Sequence, residues 1–222
     1  MLLTHLPALN APSTHIVLAS GSPRRKDILH TLGFTRVVVR TSAFEEDLDK
    51  SAYAHADAYA RATALGKARD VYATHYARGR GDEGEADVII GADTVVESRD
   101  GRVLEKPSDA REAKDMLRAL SNGSSKVHTG VAIILPNVPS GSGVFEHVFS
   151  ETTLVEFGAL TEDEIDAYIA TGEPFDKAGG YGIQGQAGAF IKGIVGDYYN
   201  VMGFPMHAFS RELAALVPMF VK

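Results

Sequence analysis

The apolar positions of the chain fall into runs and stripes that predict alternating strands and helices. Ile16-Val17-Leu18-Ala19 is a short unbroken run of the buried-strand type, and after a polar turn Ile28, Leu29 and Leu32 recur at helical spacing, with Gly33 where a helix stops. Val37-Val38-Val39 predicts a second short strand. Residues 49–78 are rich in alanine and poor in breakers, which predicts one long helix despite Gly66. A buried strand follows over 87–96, then a hairpin turn with Asp100-Gly101 at its tip and a return strand ending at Leu104-Glu105-Lys106-Pro107. Ser108 is the expected cap of a helix whose inner face is Ala113, Met116, Leu117 and Leu120. Two long strands, 125–135 and 144–157, flank the turn-rich loop 136–143 and must pair antiparallel, so the sheet is not purely parallel. Thr161 and Glu164 form a capping box for a helix carrying Ile165, Tyr168 and Ile169 and closing at Gly172, and Pro205 opens a last helix to Val217.

Composition narrows the class. At 222 residues the chain can bury a sizeable core as one domain, or as one domain with two lobes, and it holds no cysteine, so neither disulfides nor thiolate chemistry are available. That fits a reducing compartment, and the cytoplasm is the expected location. Residues 1–13 contain no Lys or Arg and are broken by His5 and Pro7, unlike a secretory leader or a transit peptide; they read as a loose extension ahead of a domain over 14–222. No run approaches the roughly eighteen apolar residues of a membrane span. The net charge of -7 argues against a nucleic-acid polymer as partner, whereas a small phosphate ligand needs only a local basic cluster. The polar stretch 79–85 reads as a surface connection.

Several polar sites interrupt this pattern. In Ala19-Ser20-Gly21-Ser22-Pro23-Arg24-Arg25 the serine caps a helix and Pro23 loses nothing at its first position, but two arginines lie at the positive end of the helix dipole. Either they are solvated on a surface turn, or an anion draws serine hydroxyls, backbone N–H groups and guanidiniums together. The acids Glu45-Glu46-Asp47 are either solvent-facing charge or oxygen ligands for Mg²⁺. In Gly91-Ala92-Asp93-Thr94 a carboxylate interrupts an apolar strand, a costly place unless it is paired; it is held in a turn, or it binds metal or takes a proton from water. His128 reads as a satisfied sheet residue, since no second histidine stands at metal spacing. Gly180, Gly182 and Gly185 spell the dinucleotide fingerprint in the wrong context, after a helix and a proline loop instead of a strand.

Taken together, Ala-Ser-Gly-Ser-Pro-Arg-Arg from Ala19, Gly-Ala-Asp-Thr-Val-Val from Gly91, Glu-Lys-Pro from Glu105, Asp-Lys-Ala-Gly-Gly-Tyr-Gly-Ile-Gln-Gly from Asp176 and Gly-Asp-Tyr-x-Asn-Val-x-Gly-Phe-Pro from Gly196 resemble the Maf family of nucleoside triphosphate pyrophosphatases. The resemblance implies an α/β fold like that of the inosine triphosphate pyrophosphatases: a mixed twisted sheet with helices on both sides and two lobes around a central cleft. It implies Asp93 as proton acceptor, Glu46 and Asp93 at a divalent metal, Mg²⁺ first and Mn²⁺ or Co²⁺ next. Ser20, Ser22, Arg24, Arg25, Lys67 and Lys106 would meet the phosphates, and Arg24, Thr94 and Gln184 match the specificity positions of the dTTP and UTP branch. A homodimer is the family habit. The competing expectations are a pyrophosphatase for ITP, XTP or 7-methyl-GTP, and a nucleotide-binding regulator of cell division without hydrolysis.

Overall fold

The computed structural model describes residues 1–77, 85–138 and 143–221. The loop 79–85, the end of the long-helix expectation at Arg78 and the loop 136–143 fall wholly or partly outside those residues. The strands are β1 (Ile16–Ala19), β2 (Val37–Val39), β3 (Val88–Glu97), β4 (Val103–Leu104), β5 (Ser124–Leu135), β6 (Phe145–Phe157) and β7 (Ile191–Val195). They make one mixed sheet in the order β2-β1-β3-β5-β6-β7, with β4 also pairing β3. β1 runs parallel to β2 and β3, and β3, β5, β6 and β7 run antiparallel in sequence. The antiparallel pairing of the two long strands follows the expectation. β7 was not expected, because Lys192 and Gly193 break its apolar alternation.

The helices are α1 (Leu6–Leu9), α2 (Pro23–Thr31), α3 (Ala56–Val71), α4 (Ala110–Leu120), α5 (Glu162–Ala170), α6 (Tyr198–Met202) and α7 (Met206–Leu216). Strand alternation assigns them to the two faces. Ile16, Leu18, Val88, Ile90, Val131 and Ile133 pack with Ile28 and Leu29 of α2 and Phe209 and Leu213 of α7. Farther along the same face, Val96, Val127 and Val155 pack with Leu117 of α4 and Ile165 of α5. The opposite face, through Val17, Ala19, Ile89, Ala132 and Ile134, takes Ala64, Ala68 and Val71 of α3. Helices therefore cover both sides, and on one side the apolar residues form two separate cores.

α3 lies unusually close to the sheet. A Cβ on Gly91 would stand 2.2 Å from the Ala64 carbonyl oxygen, and one on Gly130 would stand 2.4 Å from the backbone of Ala60 and Arg61. The room that Gly91 leaves is thus filled by the backbone of a helix.

Three details correct the sequence reading. Residues 1–13 are not a loose extension: Leu2 and Leu9 are buried in the main core, and the Leu6 side chain lies under Gly33, whose φ is +106°. Burial of about three leucines outweighs the entropy of a free end. The long helix starts at Ala56 instead of Asp49, because the Asp49 carboxylate accepts the Ser51 N–H at 2.9 Å and His55 is extended; it ends at Val71 in a single wider turn, Tyr72–Tyr76. The cap of α4 is Asp109, which accepts the Glu112 N–H, while the Ser108 hydroxyl donates to Glu112. The capping box of α5 is present as expected, with Thr161 Oγ1 accepting the Glu164 N–H and Glu164 accepting the Thr161 N–H. Thr161→Ala is expected to cost about 1 kcal/mol, read as a fall of roughly 2 to 4 °C in thermal midpoint.

Candidate functional site

A break in sheet pairing creates the site. β1 stops opposite Gly91, where Ala19 is its last partner, and β4 pairs β3 only from Val96 onward, with Leu104 opposite Val96. Between these points β3 has β5 on one side and neither β1 nor β4 on the other. A cleft of about 680 Å³ opens there, a size that suits a nucleotide. Alternation then sends the neighbours Asp93 and Thr94 to opposite faces, Asp93 toward α3 and Thr94 toward α2.

On the α3 side, the buried Lys67 ammonium sits 2.8 Å from Asp93 Oδ1 and 2.8 Å from Glu46 Oε2. Asp93 is only 6% exposed, and burial pushes its carboxyl above the ordinary value against the pull of Lys67 and Arg25. Glu46 is more open; burial raises it too, but Lys67, Lys106 and Arg25 together hold it below the ordinary range. The polar interruption in the strand is therefore a paired, buried carboxylate, and the mid-helix lysine is its buried partner.

On the α2 side, Arg25 is fixed by three bonds: Nε donates to the Gly203 carbonyl at 2.9 Å, and the terminal nitrogens donate to Ser20 Oγ at 3.0 Å and Thr94 Oγ1 at 3.1 Å. Thr94 also meets Thr129 Oγ1 at 3.0 Å, so its hydroxyl is committed to holding this arginine. Ser22 does precede α2, but its side chain makes no cap bond and instead lines the cleft. Arg24 reaches across the opening to the Asp176 carboxylate at 2.7 Å and the Asp176 carbonyl at 3.0 Å.

The opposite wall is the glycine loop after α5. Gly179 and Gly180 take φ of +69° and +71°, and the Gly179 N–H donates to the Glu105 carbonyl at 3.0 Å, which ties this loop to the strand end bearing Lys106. Lys106 and Gln184 both line the cleft. The loop is no dinucleotide fingerprint, since it follows α5 and short 3₁₀ turns instead of a strand and opens only the short 3₁₀ helix Gln186–Phe190. His128 is a sheet residue as expected, between Thr152 at 2.9 Å and Glu97 at 3.1 Å.

The residues to which the resemblance gave a role, Ser20, Ser22, Arg24, Arg25, Glu46, Lys67, Asp93, Thr94, Lys106 and Gln184, all line this one cleft, whereas Glu45, Asp47 and His128 do not. Asp176 and Lys177 were quoted in a motif but given no role; Lys177 donates to the other Asp176 oxygen at 2.6 Å, so two cations of the wall share one carboxylate. The signal was a charged pair directly before Gly-Gly. Among the described residues no group of three or more His, Asp or Glu could hold a metal by itself. Glu46 and Asp93, already bridged by an ammonium at 2.8 Å, are oxygen donors converging where a cation sits. Such a pair fits Mg²⁺, whose other positions go to water and phosphate oxygens.

Comparisons with known proteins give the family. A chain named dTTP/UTP pyrophosphatase from Bacillus cytotoxicus is 45% identical over 197 residues, covering 89% of this chain and 93% of its own. One of the same name from Bacillus cereus is 42% identical over 213 residues, covering 96% and 95%. A solved dITP/XTP pyrophosphatase from Mycobacterium abscessus covers 93% of this chain and 99% of its own at 17% identity and a TM-score of 0.42, a likeness that carries no argument. The profile described as Maf-like protein matches residues 15–216, and with those relatives it establishes that the chain belongs to the Maf-like protein family.

Proposed function

We propose that this protein hydrolyses dTTP and UTP to the monophosphate and pyrophosphate. The observation that carries the reading is the meeting, in one cleft, of a buried carboxylate with Lys67, Lys106, Arg24 and Arg25; relatives alike over nearly the whole chain bear the matching name. A triphosphate resists attack because its oxygens screen the phosphorus, so cations must first draw off that charge. Arg25 is held ready for this by Ser20, Thr94 and the Gly203 carbonyl, so little reorganisation is needed on binding. Lys67 and Lys106 supply further positive charge from α3 and the strand end. Asp93 takes a proton from water as its oxygen joins phosphorus and the α–β bridging oxygen leaves with pyrophosphate. Burial suits it to that task, raising its affinity for the proton. Mg²⁺ held by Glu46 and Asp93 would neutralise phosphate oxygens and lower the pKa of water.

Gln184, with both donor and acceptors, and Arg24 line the same cleft, and reading the base edge is the role assigned to them in this proposal. A panel of dTTP, UTP, ITP and 7-methyl-GTP tests the substrate class by comparing kcat/KM for pyrophosphate release. The pyrimidines are expected to lead, and a purine preference overturns the assignment. For the metal, Glu46→Gln is expected to raise the Mg²⁺ concentration for half-maximal rate roughly tenfold or more. An unchanged Mg²⁺ titration removes Glu46 from the metal site. No helix among the described residues is long and apolar enough to cross a membrane.

A further inference from the structure

Glu46 stands on a stretch without regular structure, between β2 and the short turn Lys50–Ala52. A loop of this kind does not place a carboxylate by itself; something must hold it. The hold comes from one helix. Asp70 Oδ2 accepts the Ser42 hydroxyl at 2.8 Å and the Ala43 N–H at 2.8 Å, and Ser42 Oγ in turn accepts the Phe44 N–H at 2.9 Å. The tip of the Phe44 ring then points at Gly66, where a Cβ would stand 2.5 Å from Cζ. Glu46 itself ends on Lys67.

Gly66, Lys67 and Asp70 all belong to α3, and together they grip the loop on both sides of Phe44. This also accounts for a glycine in the middle of a helix, where alanine forms helix better. Phe44 lines the cleft, so the seat on Gly66 sets the cleft wall as well as the loop.

We infer that Asp70 and Gly66 are positioning residues that hold the 42–46 loop so that the Glu46 carboxylate presents to the divalent cation. The inference rests on the proposed metal role of Glu46. Neither residue touches the reacting groups: Asp70 acts through Ser42 and the loop backbone, Gly66 through the Phe44 ring. Residues that orient ligands in this way typically change metal affinity by roughly 10- to 100-fold when replaced.

The test is a Mn²⁺ titration of the full chain, followed by electron paramagnetic resonance, with the non-hydrolysable α,β-imido analogue of dTTP bound. Asp70→Asn and Glu46→Gln are both expected to bind Mn²⁺ roughly tenfold more weakly. Hydrolysis by Asp70→Asn is expected to recover as Mg²⁺ is raised, which a general folding defect does not do. Wild-type Mn²⁺ affinity in Asp70→Asn beside a weakened Glu46→Gln overturns the positioning role. Wild-type affinity in Glu46→Gln overturns the metal reading beneath it. Should Asp70→Asn fail to fold, Gly66→Ala decides. It adds a better helix former while unseating Phe44, so weaker Mn²⁺ binding without a lower thermal midpoint supports the inference, and unchanged binding refutes it.

Discussion

Asp93→Asn is expected to lower kcat/KM for pyrophosphate release from dTTP by roughly 10³-fold, the span that a positioned general base contributes. The substitution keeps shape and size in a site where Asp93 is 6% exposed, but removes the group that takes the proton. Folding is expected to survive, because Lys67 keeps Glu46 as its partner at 2.8 Å and a costly buried charge is relieved. The measurement is a coupled pyrophosphate assay with Mg²⁺ present, beside a thermal melt of both proteins. A variant within tenfold of the wild type removes Asp93 as the base. A wild type that releases no more pyrophosphate than the variant would instead favour the nucleotide-binding regulator.

Gly130→Ala tests the scaffold and is expected to destabilise the fold by about 3 kcal/mol, a fall of roughly 6 to 12 °C in thermal midpoint. The new methyl would meet Ala60 C, Ala60 O and Arg61 N at 2.4 Å, all of them backbone. No side-chain torsion relieves that contact, so α3 must lift from the sheet. Gly193→Ala on β7 is the control, since nothing lies within 4 Å of its added Cβ, and it is expected to stay within about 0.5 kcal/mol. Equal melting of the two variants would show that the closeness of α3 to β5 is immaterial.

Much of this architecture was legible because its signals are local. The runs at Ile16 and Val88, the Asp-Gly turn and the Thr161 box each specify an element from a few residues, and the elements expected differ from those found mainly at their ends, whereas β7 and the helix at Leu6–Leu9 were not expected. Asp49 and Asp109 show why ends are harder: a short acid that can bond its own backbone shifts a helix start without disturbing the apolar stripe. The opening residues carried a signal that went unread, since Leu2, Leu6 and Leu9 stand at helical spacing. In the site, the carboxylate inside an apolar strand announced itself by its cost, which is why Asp93 could be picked out from the residues, whereas Lys67 was reached only through the family resemblance. What could not be read was which cation meets which anion. The pairing of Arg24 with Asp176 joins residues 152 positions apart, and nothing local encodes it.

The ammonium of Lys67 lying between Glu46 and Asp93, with the Arg25 guanidinium close by, has a consequence for assembly. Two negative groups face two positive ones, so the charges of this cluster offset one another within the protein. A cluster of this kind carries its own cation, so chelators in the absence of nucleotide are expected to leave the melting curve where it was. On the proposed metal reading, the divalent ion would travel with the triphosphate, arriving and departing with it.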